Sequence, residues 1–209
     1  MKEYKVIHIA AQSLKIDGKD NDSIWDKAVS LTDFCSPWED TTFDKIEFKA
    51  LWNKENLLCR FRVEDPEVHI DITEVGNKSI NISDRVELFF RIDDSLSPYY
   101  CLEIDPSARI MDFRAQPARQ FDFDWNWPAK HIEVRSVMQP DYFIVEIALS
   151  IDFLKELGIL KNGQLETGIF RAKYKQQENG SYKPIWITWV DPKTETPISI
   201  RRPLLVGCA

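Results

Sequence analysis

The sequence predicts an all-β fold, an antiparallel β-sandwich of the immunoglobulin or jelly-roll type with one or two short helical turns. Three observations support this prediction. Apolar and polar residues alternate along many short segments, and this period is typical of strands buried on one side. Turn residues separate the segments at short intervals. Helix start and stop signals are sparse.

Length and composition indicate one domain that spans residues 1–209, since 44% of the residues are hydrophobic and no linker-like tract interrupts them. The net charge of -7 and the absence of a basic cluster longer than Arg201–Arg202 argue against nucleic acid as a partner. No apolar run is long enough for membrane insertion, and the start lacks a signal-peptide pattern. The sequence leaves two compartments open, the cytoplasm or, after removal of a signal, the periplasm or the exterior.

The predicted strands pair along the chain. Residues 45–52 and 56–65 flank a short polar turn and form a hairpin, with Phe48 and Phe61 on its apolar side. Residues 85–94 and 99–105 form a second hairpin around the turn "SLSP", with Val86, Leu88 and Phe90 on one side. Further strands are predicted at 131–138, 142–149, 166–174 and 184–190.

Two short helical turns are predicted. In "SIDFLKELG", Ser150 is a suitable N-cap, Asp152 lies in the first turn and Gly158 follows as a stop. The segment 22–28 can form one further turn.

Cysteines and histidines do not form recognisable motifs. Cys35, Cys59, Cys101 and Cys208 are widely spaced, and buried free thiols are expected, with a disulfide as the alternative. The three histidines are far apart and lack metal-ligand spacing. No hydrolase, kinase or oxidoreductase signature is present, so no catalytic residue is assigned.

Acidic residues allow two further interpretations. Glu87 and Glu103 lie on facing hairpin segments, where they could form the acid/base pair of a glycosidase or a solvated, sugar-bonding surface. Asp93–Asp94 and the acidic segment 64–74 could hold calcium or simply be solvated loop charges.

Aromatic residues are the most informative group, because sugars present an apolar face that stacks on flat rings. In "FDFDWNWPAK" (121–130), every second residue from Phe121 to Trp127 is aromatic. Phe121 and Phe123 are interpreted as packing residues. In "WITWV", Trp186 and Trp189 fall on opposite faces of one strand, so at least one of them should face away from the main core.

Five segments, in order, resemble the family 9 carbohydrate-binding modules. The first has a strand ending in Ile-Asp-Gly followed by Trp and Ala, and the others have a strand ending in Asp-Pro, an Asp-x-Val-Glu strand, a Val-Glu-Ile-Ala strand and a Trp before Asp-Pro. The matching segments are "LKIDGKDNDSIWDKAVSLTDF" (14–34), "KALWNKENLLCRFRVEDP" (49–66), "SDRVELFFRID" (83–93), "YFIVEIALSIDFL" (142–154) and "WITWVDP" (186–192).

The resemblance implies a β-sandwich that binds glucan or xylan chains, often with structural calcium, between two tryptophans and beside a glutamate. Glu87 matches the glutamate, Trp189 matches one tryptophan, and Arg171 lies near a sugar-bonding position. Asn81 stands where the second tryptophan is expected, so Trp125 or Trp127 is a candidate replacement. The alternatives are an ion pair for Glu87, core packing for the tryptophans and a surface charge for Arg171.

The first hypothesis is therefore a non-catalytic carbohydrate-binding domain that recognises a polysaccharide or oligosaccharide and that could be associated with a polysaccharide-degrading enzyme. The second is a β-sandwich glycosidase that uses Glu87 and Glu103. The third is an interaction module without sugar binding.

Overall fold

A computed structural model describes residues 2–10, 14–20, 23–73, 77–195 and 204–208. These residues form twelve strands, one α-helix (α1, Ile151–Glu156) and three short 3-10 helices (Ser23–Lys27, Asn77–Ile82 and Ala129–His131). In chain order the strands β1 to β12 are Lys5–His8, Ile46–Trp52, Asn56–Glu64, Arg85–Arg91, Tyr99–Ile104, Ile110–Gln116, Gln120–Asp122, Ile132–Gln139, Tyr142–Ser150, Gln164–Gln176, Tyr182–Thr188 and Leu204–Cys208.

The strands form two sheets that pack as a sandwich. The first sheet has the order β7-β6-β5-β4-β10, with β12 beside the first half of β10 and β11 beside its second half. The second sheet has the order β1-β2-β3-β9-β8. Strand β1 joins the two, because Lys5 and Val6 pair with β12 and Ile7 and His8 pair with β2. Apart from the pairs of β1, neighbouring strands are antiparallel, which confirms the predicted fold class.

The main core lies between the sheets and follows the alternation of the sequence. Val86, Leu88 and Phe90 of β4 face Phe48 and Phe61 of the hairpin β2–β3 across this core. We call the sides turned toward this core the inner faces and the opposite sides the outer faces. Burying these rings and branched side chains removes much apolar surface from water, at about 25 cal/mol per Å².

The first motif of the chain, Ile-Asp-Gly followed by Trp, packs on the outer face of the second sheet. Glu146 on β9 accepts hydrogen bonds from the backbone N–H groups of Asp17 and Gly18 at 3.0 and 2.8 Å and from the indole of Trp25 at 2.8 Å. Gly18 has φ +75°, and an added Cβ would lie 3.0 Å from the backbone of Ser136. The Ile-Asp-Gly and Trp residues therefore fasten the N-terminal segment over β9, and their role here is structural.

The helix signals are confirmed. Helix α1 starts after Ser150, whose side chain accepts a hydrogen bond from the backbone N–H of Phe153, as an N-cap does. The turn predicted at 22–28 is the 3-10 helix Ser23–Lys27. No helix in the described part of the chain is long and apolar enough to cross a bilayer. Cys35 and Cys101 are free thiols, Cys59 is buried, and the side chain of Cys208 lies outside the described part.

The aromatic segment 121–127 divides between two environments. Strand β7 covers only Gln120–Asp122, and its Phe121 is 39% exposed and Phe123 55% exposed, although both rings contact Phe113. Trp127 is buried in the main core, where its ring contacts Phe90. The predicted packing role of the two phenylalanines is therefore only partly fulfilled, because both side chains stay exposed.

Candidate functional site

A buried ionic cluster lies on the outer face of the first sheet. Arg85 and Glu87 on β4 and Glu103 on β5 have at most 6% of their surface exposed. Nε of Arg85 lies 2.8 Å from Oε1 of Glu87 and 2.7 Å from Oε2 of Glu103. One guanidinium therefore faces two carboxyl groups, which leaves the cluster with a net charge of -1 if both are ionised.

Burial and mutual repulsion favour the protonated carboxyls. Burial, reinforced by the neighbouring Glu103 and opposed by Arg85, raises the pKa of Glu87 to about 8. Burial also raises the pKa of Glu103. Because one cation serves both groups, we expect the pair to hold one proton near neutral pH.

Aromatic rings surround this cluster. The guanidinium of Arg85 lies 5.2 Å from the ring centroid of Trp186 and 5.7 Å from that of Tyr174. Arg85 also donates to the backbone carbonyl of Asn81 at 3.2 Å, and Tyr174 donates its hydroxyl hydrogen to the same oxygen. Trp186 is only half-buried and Asn81 is exposed, so both lie at the rim of the cluster.

A second aromatic pair extends the rim. Tyr182, 37% exposed, stacks on His69 with ring centroids 3.5 Å apart. Tyr182 follows the same alternation along β11 as Trp186. The outer face therefore presents the half-buried indole of Trp186 beside the fixed guanidinium of Arg85. Exposed Asn81 is bonded to Arg85 through its backbone carbonyl, and exposed Tyr182 lies further along the same side of β11. Flat rings beside planar hydrogen-bonding groups can hold the apolar face and the hydroxyls of a sugar.

Trp189 lies on the inner side of the sandwich. It is 3% exposed, packs edge-on against Tyr4 and donates its indole hydrogen to Oδ1 of Asp33 at 2.8 Å. Nζ of Lys2 lies 5.5 Å from its ring centroid. Stacking of a sugar on this ring would require these contacts to break, and Trp189 is separated from Glu87 by the first sheet.

Arg171 also points to the inner side, into a buried network of charges. It contacts Asp65, and Nζ of Lys173 lies 2.9 Å from the same carboxylate and 3.0 Å from Asp84. Burial opposes ionisation of Asp65, but Arg171 and Lys173 hold its pKa below the usual range. Burial raises the pKa of Asp84 to about 6.

Trp125 and Trp127 lie away from both groups. Trp127 is 4% exposed and packs against Phe153 of α1, and half-buried Trp125 lies on Tyr100 with ring centroids 4.9 Å apart. The five side chains predicted from the sequence are therefore distributed over both faces of the first sheet. Their role in sugar binding stays a prediction.

Of the outer-face residues around Glu87, Trp186 and Tyr174 were not selected as sugar-binding candidates from the sequence, whereas Glu103 was considered as part of an acid/base pair. Trp186 and Trp189 were expected on opposite faces, and the structure places Trp186 beside Arg85. Glu103 pairs directly with Glu87 in the register of β4 and β5, as the hairpin prediction implied. Tyr174 carried no signal beyond its alternation with Ala172 and Phe170.

Several of the acidic residues considered for calcium have partners within the chain, Glu74 of the segment 64–74 lies outside the described residues, and bound calcium stays a prediction. Asp93 accepts a hydrogen bond from the backbone of Ser95, Asp94 pairs with Arg91, and Asp71 bonds to Thr73. Within the described residues no three or more acidic, histidine or cysteine side chains form a metal-holding group.

Four oxygen atoms surround the ammonium group of Lys173. Nζ of Lys173 contacts both carboxylate oxygens of Asp65, one of Asp84 and the carbonyl oxygen of Glu67. The ammonium group of Lys173 therefore satisfies these four oxygen atoms.

Fold and topology define the chain as a two-sheet β-sandwich domain. It belongs to the family of carbohydrate family 9 binding domain-like proteins, whose family model matches residues 16–199. No curated protein matches the chain.

Solved structures are similar over the whole chain. One is a proposed carbohydrate-binding protein from Bacteroides uniformis, with a TM-score of 0.67 and 12% identity over 100% of this chain and 99% of that one. Another is a family 9 carbohydrate-binding module from Caldicellulosiruptor kristjanssonii in complex with glucose, with a TM-score of 0.61 and 15% identity over 100% and 96% of the two chains. A family 9 module from the same organism in complex with cellotriose gives 0.59 and 15% over 99% and 93%.

Proposed function

We propose that the chain is a non-catalytic carbohydrate-binding module that binds a neutral saccharide on the outer face of the first sheet. The observation that carries this proposal is the half-buried indole of Trp186, held against the guanidinium of Arg85 at the rim of a buried carboxyl pair. Family membership and the similar modules that hold glucose and cellotriose support it. Glucan and xylan chains are the proposed ligand class.

Each group at this rim has a separate role in the proposal. Trp186 stacks on the sugar, and the exposed Asn81 and Tyr182 supply hydrogen bonds to its hydroxyls. Glu87 and Glu103 lie beneath and hold Arg85 against the indole, so Glu87 acts here through Arg85. Because such a surface is shallow, we expect modest affinity.

The test is a glycan array followed by calorimetry with glucose, cellotriose and xylotriose. We expect Trp186→Ala to weaken binding at least tenfold. Trp125→Ala is the matched control, because Trp125 is also half-buried but lies on Tyr100. Trp189→Ala is unsuitable as a binding test, since removal of a core tryptophan costs about 3–5 kcal/mol of stability.

Two results would contradict the proposal. Loss of binding in Trp125→Ala with unchanged binding in Trp186→Ala would place the site elsewhere. The absence of binding across a broad panel would favour an interaction module without sugar binding.

One observation favours a second candidate, a glycosidase. Glu87 and Glu103 are close together because they share Nε of Arg85, and both have raised pKa values, as a general acid requires. Their burial argues against it, since an acid/base must reach its substrate. We expect no hydrolysis of cello- or xylo-oligosaccharides. Hydrolysis that is lost in Glu103→Gln would establish the enzyme instead.

A further inference from the structure

A pocket of about 220 Å³ opens on the inner side of β10, separate from the outer face. It is lined by Thr42, Phe43, Asp44, Arg171, Lys173 and Lys175. Arg171, Lys173 and Lys175 alternate along β10 and therefore point to the same side of the strand. We call this cavity the basic pocket.

The base of the basic pocket is buried and the mouth is open. Arg171 and Lys173 are 1% and 6% exposed, whereas Thr42, Asp44 and Lys175 are exposed. Burial of a cation at this depth costs free energy unless hydrogen-bonding partners surround the charged group. The pocket is thus built around charged groups that the fold fixes in place.

One buried donor of the lining residue Arg171 is not satisfied. Arg171 contacts Asp65 through Nη2, but its Nε has no hydrogen-bond acceptor among the described residues. A buried unpaired donor costs roughly 1–3 kcal/mol. Burial lowers the pKa of Arg171, in line with a guanidinium that lacks part of its solvation. An acceptor that reaches Nε from the pocket would remove this penalty.

The charges of the lining favour an anionic acceptor. Three cations line the basic pocket and only one carboxylate, that of Asp44, does so. Of the two acids behind the pocket, Asp65 pairs with both Arg171 and Lys173, and Asp84 pairs with Lys173. Lys175 is the lining cation without an ion-pair partner among the described residues. An arginine is well suited to bind a carboxylate, because its planar donors match the two oxygens.

The size and remaining walls favour an organic anion over a bare ion. Water occupies about 30 Å³, so the pocket is several times larger than a small ion needs. Phe43 offers an aromatic wall and Thr42 a hydroxyl group. A ring that carries a carboxylate and several hydroxyls meets all of these groups.

We propose that the basic pocket binds the carboxylate of an acidic sugar, a hexuronate, with Arg171 and Lys175 on the carboxylate, Phe43 on the ring and Thr42 on a hydroxyl. This site lies on the opposite face of the first sheet from Trp186, so it is additional to the neutral-sugar site. A chain with both neutral and acidic sugars is the class of glycan that could use both.

The test uses calorimetry and NMR titration with glucuronate and galacturonate, and with glucose, acetate and phosphate as comparison ligands. We expect the two uronates to bind, and Lys175→Gln and Phe43→Ala each to weaken their binding at least fivefold. Lys130→Gln, which removes an exposed lysine elsewhere, should leave uronate binding unchanged. Lys175 and Phe43 are used because Arg171 is part of the buried network and its loss could unfold the domain.

The following results would replace or overturn the proposal. Phosphate or acetate binding as tight as uronate binding would replace it with a simple oxyanion site. Uronate binding that survives both Lys175→Gln and Phe43→Ala, or no uronate binding at all, would overturn it. Neutral-sugar binding sensitive to Trp186→Ala is measured separately, so the two proposals succeed or fail independently.

Discussion

Glu87→Gln should make the protein less sensitive to rising pH. Glutamine has nearly the same shape as a protonated glutamic acid and carries no charge at any pH. The substitution therefore keeps the buried neutral group beside Arg85 and Glu103 but removes its ability to ionise. Its effect on stability should depend on pH in a direction fixed by the pKa of Glu87.

The sign follows from the raised pKa. Burial lifts the pKa of Glu87 from 4.5 in the unfolded chain to about 8 in the folded one. The stability that this group contributes is fully present below about pH 4.5 and is lost as the pH rises through about 8. At about 1.4 kcal/mol per pKa unit, the upper limit of this contribution to the free energy of unfolding is about 5 kcal/mol. Because Arg85 and Glu103 share the charge, we expect about 1–3 kcal/mol between pH 5 and 8.

Urea unfolding followed by tryptophan fluorescence, at several pH values from 5 to 8.5, measures this difference. Wild type and Glu87→Gln should have similar stability at pH 5, and the variant should become relatively more stable toward pH 8. Glu178→Gln, at an exposed position, is the control and should follow the wild type. A Glu87→Gln variant that loses stability relative to wild type as the pH rises would refute the reasoning, because an ionised Glu87 would then hold Arg85.

Two further substitutions test the structure. Lys173→Gln leaves the buried carboxylates of Asp65 and Asp84 short of a cation, so thermal unfolding should show a loss of about 3–5 kcal/mol. A variant as stable as the wild type would show that Arg171 alone balances these carboxylates. Gly18→Ala should lower the free energy of unfolding more than Gly180→Ala does. Both glycines have a positive φ, but only Gly18 has backbone atoms 3.0–3.1 Å from an added Cβ. Equal losses of stability in urea unfolding would show that this contact does not matter.

Most of the fold could be predicted from alternation, because the main core receives every second side chain. Ile46, Phe48 and Ala50 face the core as the pattern of β2 indicated, and Leu57 and Phe61 do so on β3. Strand β1 was missed because it is short and pairs in parallel with β2 and β12, which local periodicity does not reveal. Strand β6 was also missed. Its residues Met111, Phe113 and Ala115 alternate, but they pack on the outer face and not in the main core.

The site was harder to predict because both faces of the first sheet are largely covered. The sequence suggested that Glu87 either bonds to a sugar or pairs with an arginine on a solvated face. It does pair with Arg85, but the pair is buried beneath an outer face that also holds Ile80, Cys101 and Phe113. Alternation gives the side on which a residue lies, but not whether another layer of side chains covers that side.

Trp186 in β11 and Trp189, the residue after this strand, show what this limitation means for function. Resemblance selected Trp189 because it precedes Asp-Pro, whereas alternation stated only that Trp186 and Trp189 face opposite ways. The structure buries Trp189 against Tyr4 and leaves Trp186 half-exposed beside Arg85. A stacking residue must offer one ring face to a ligand, and of these two only Trp186 meets that requirement without a change in packing. Exposure, which depends on all the surrounding elements, therefore decides between residues that the sequence pattern treats as equivalent.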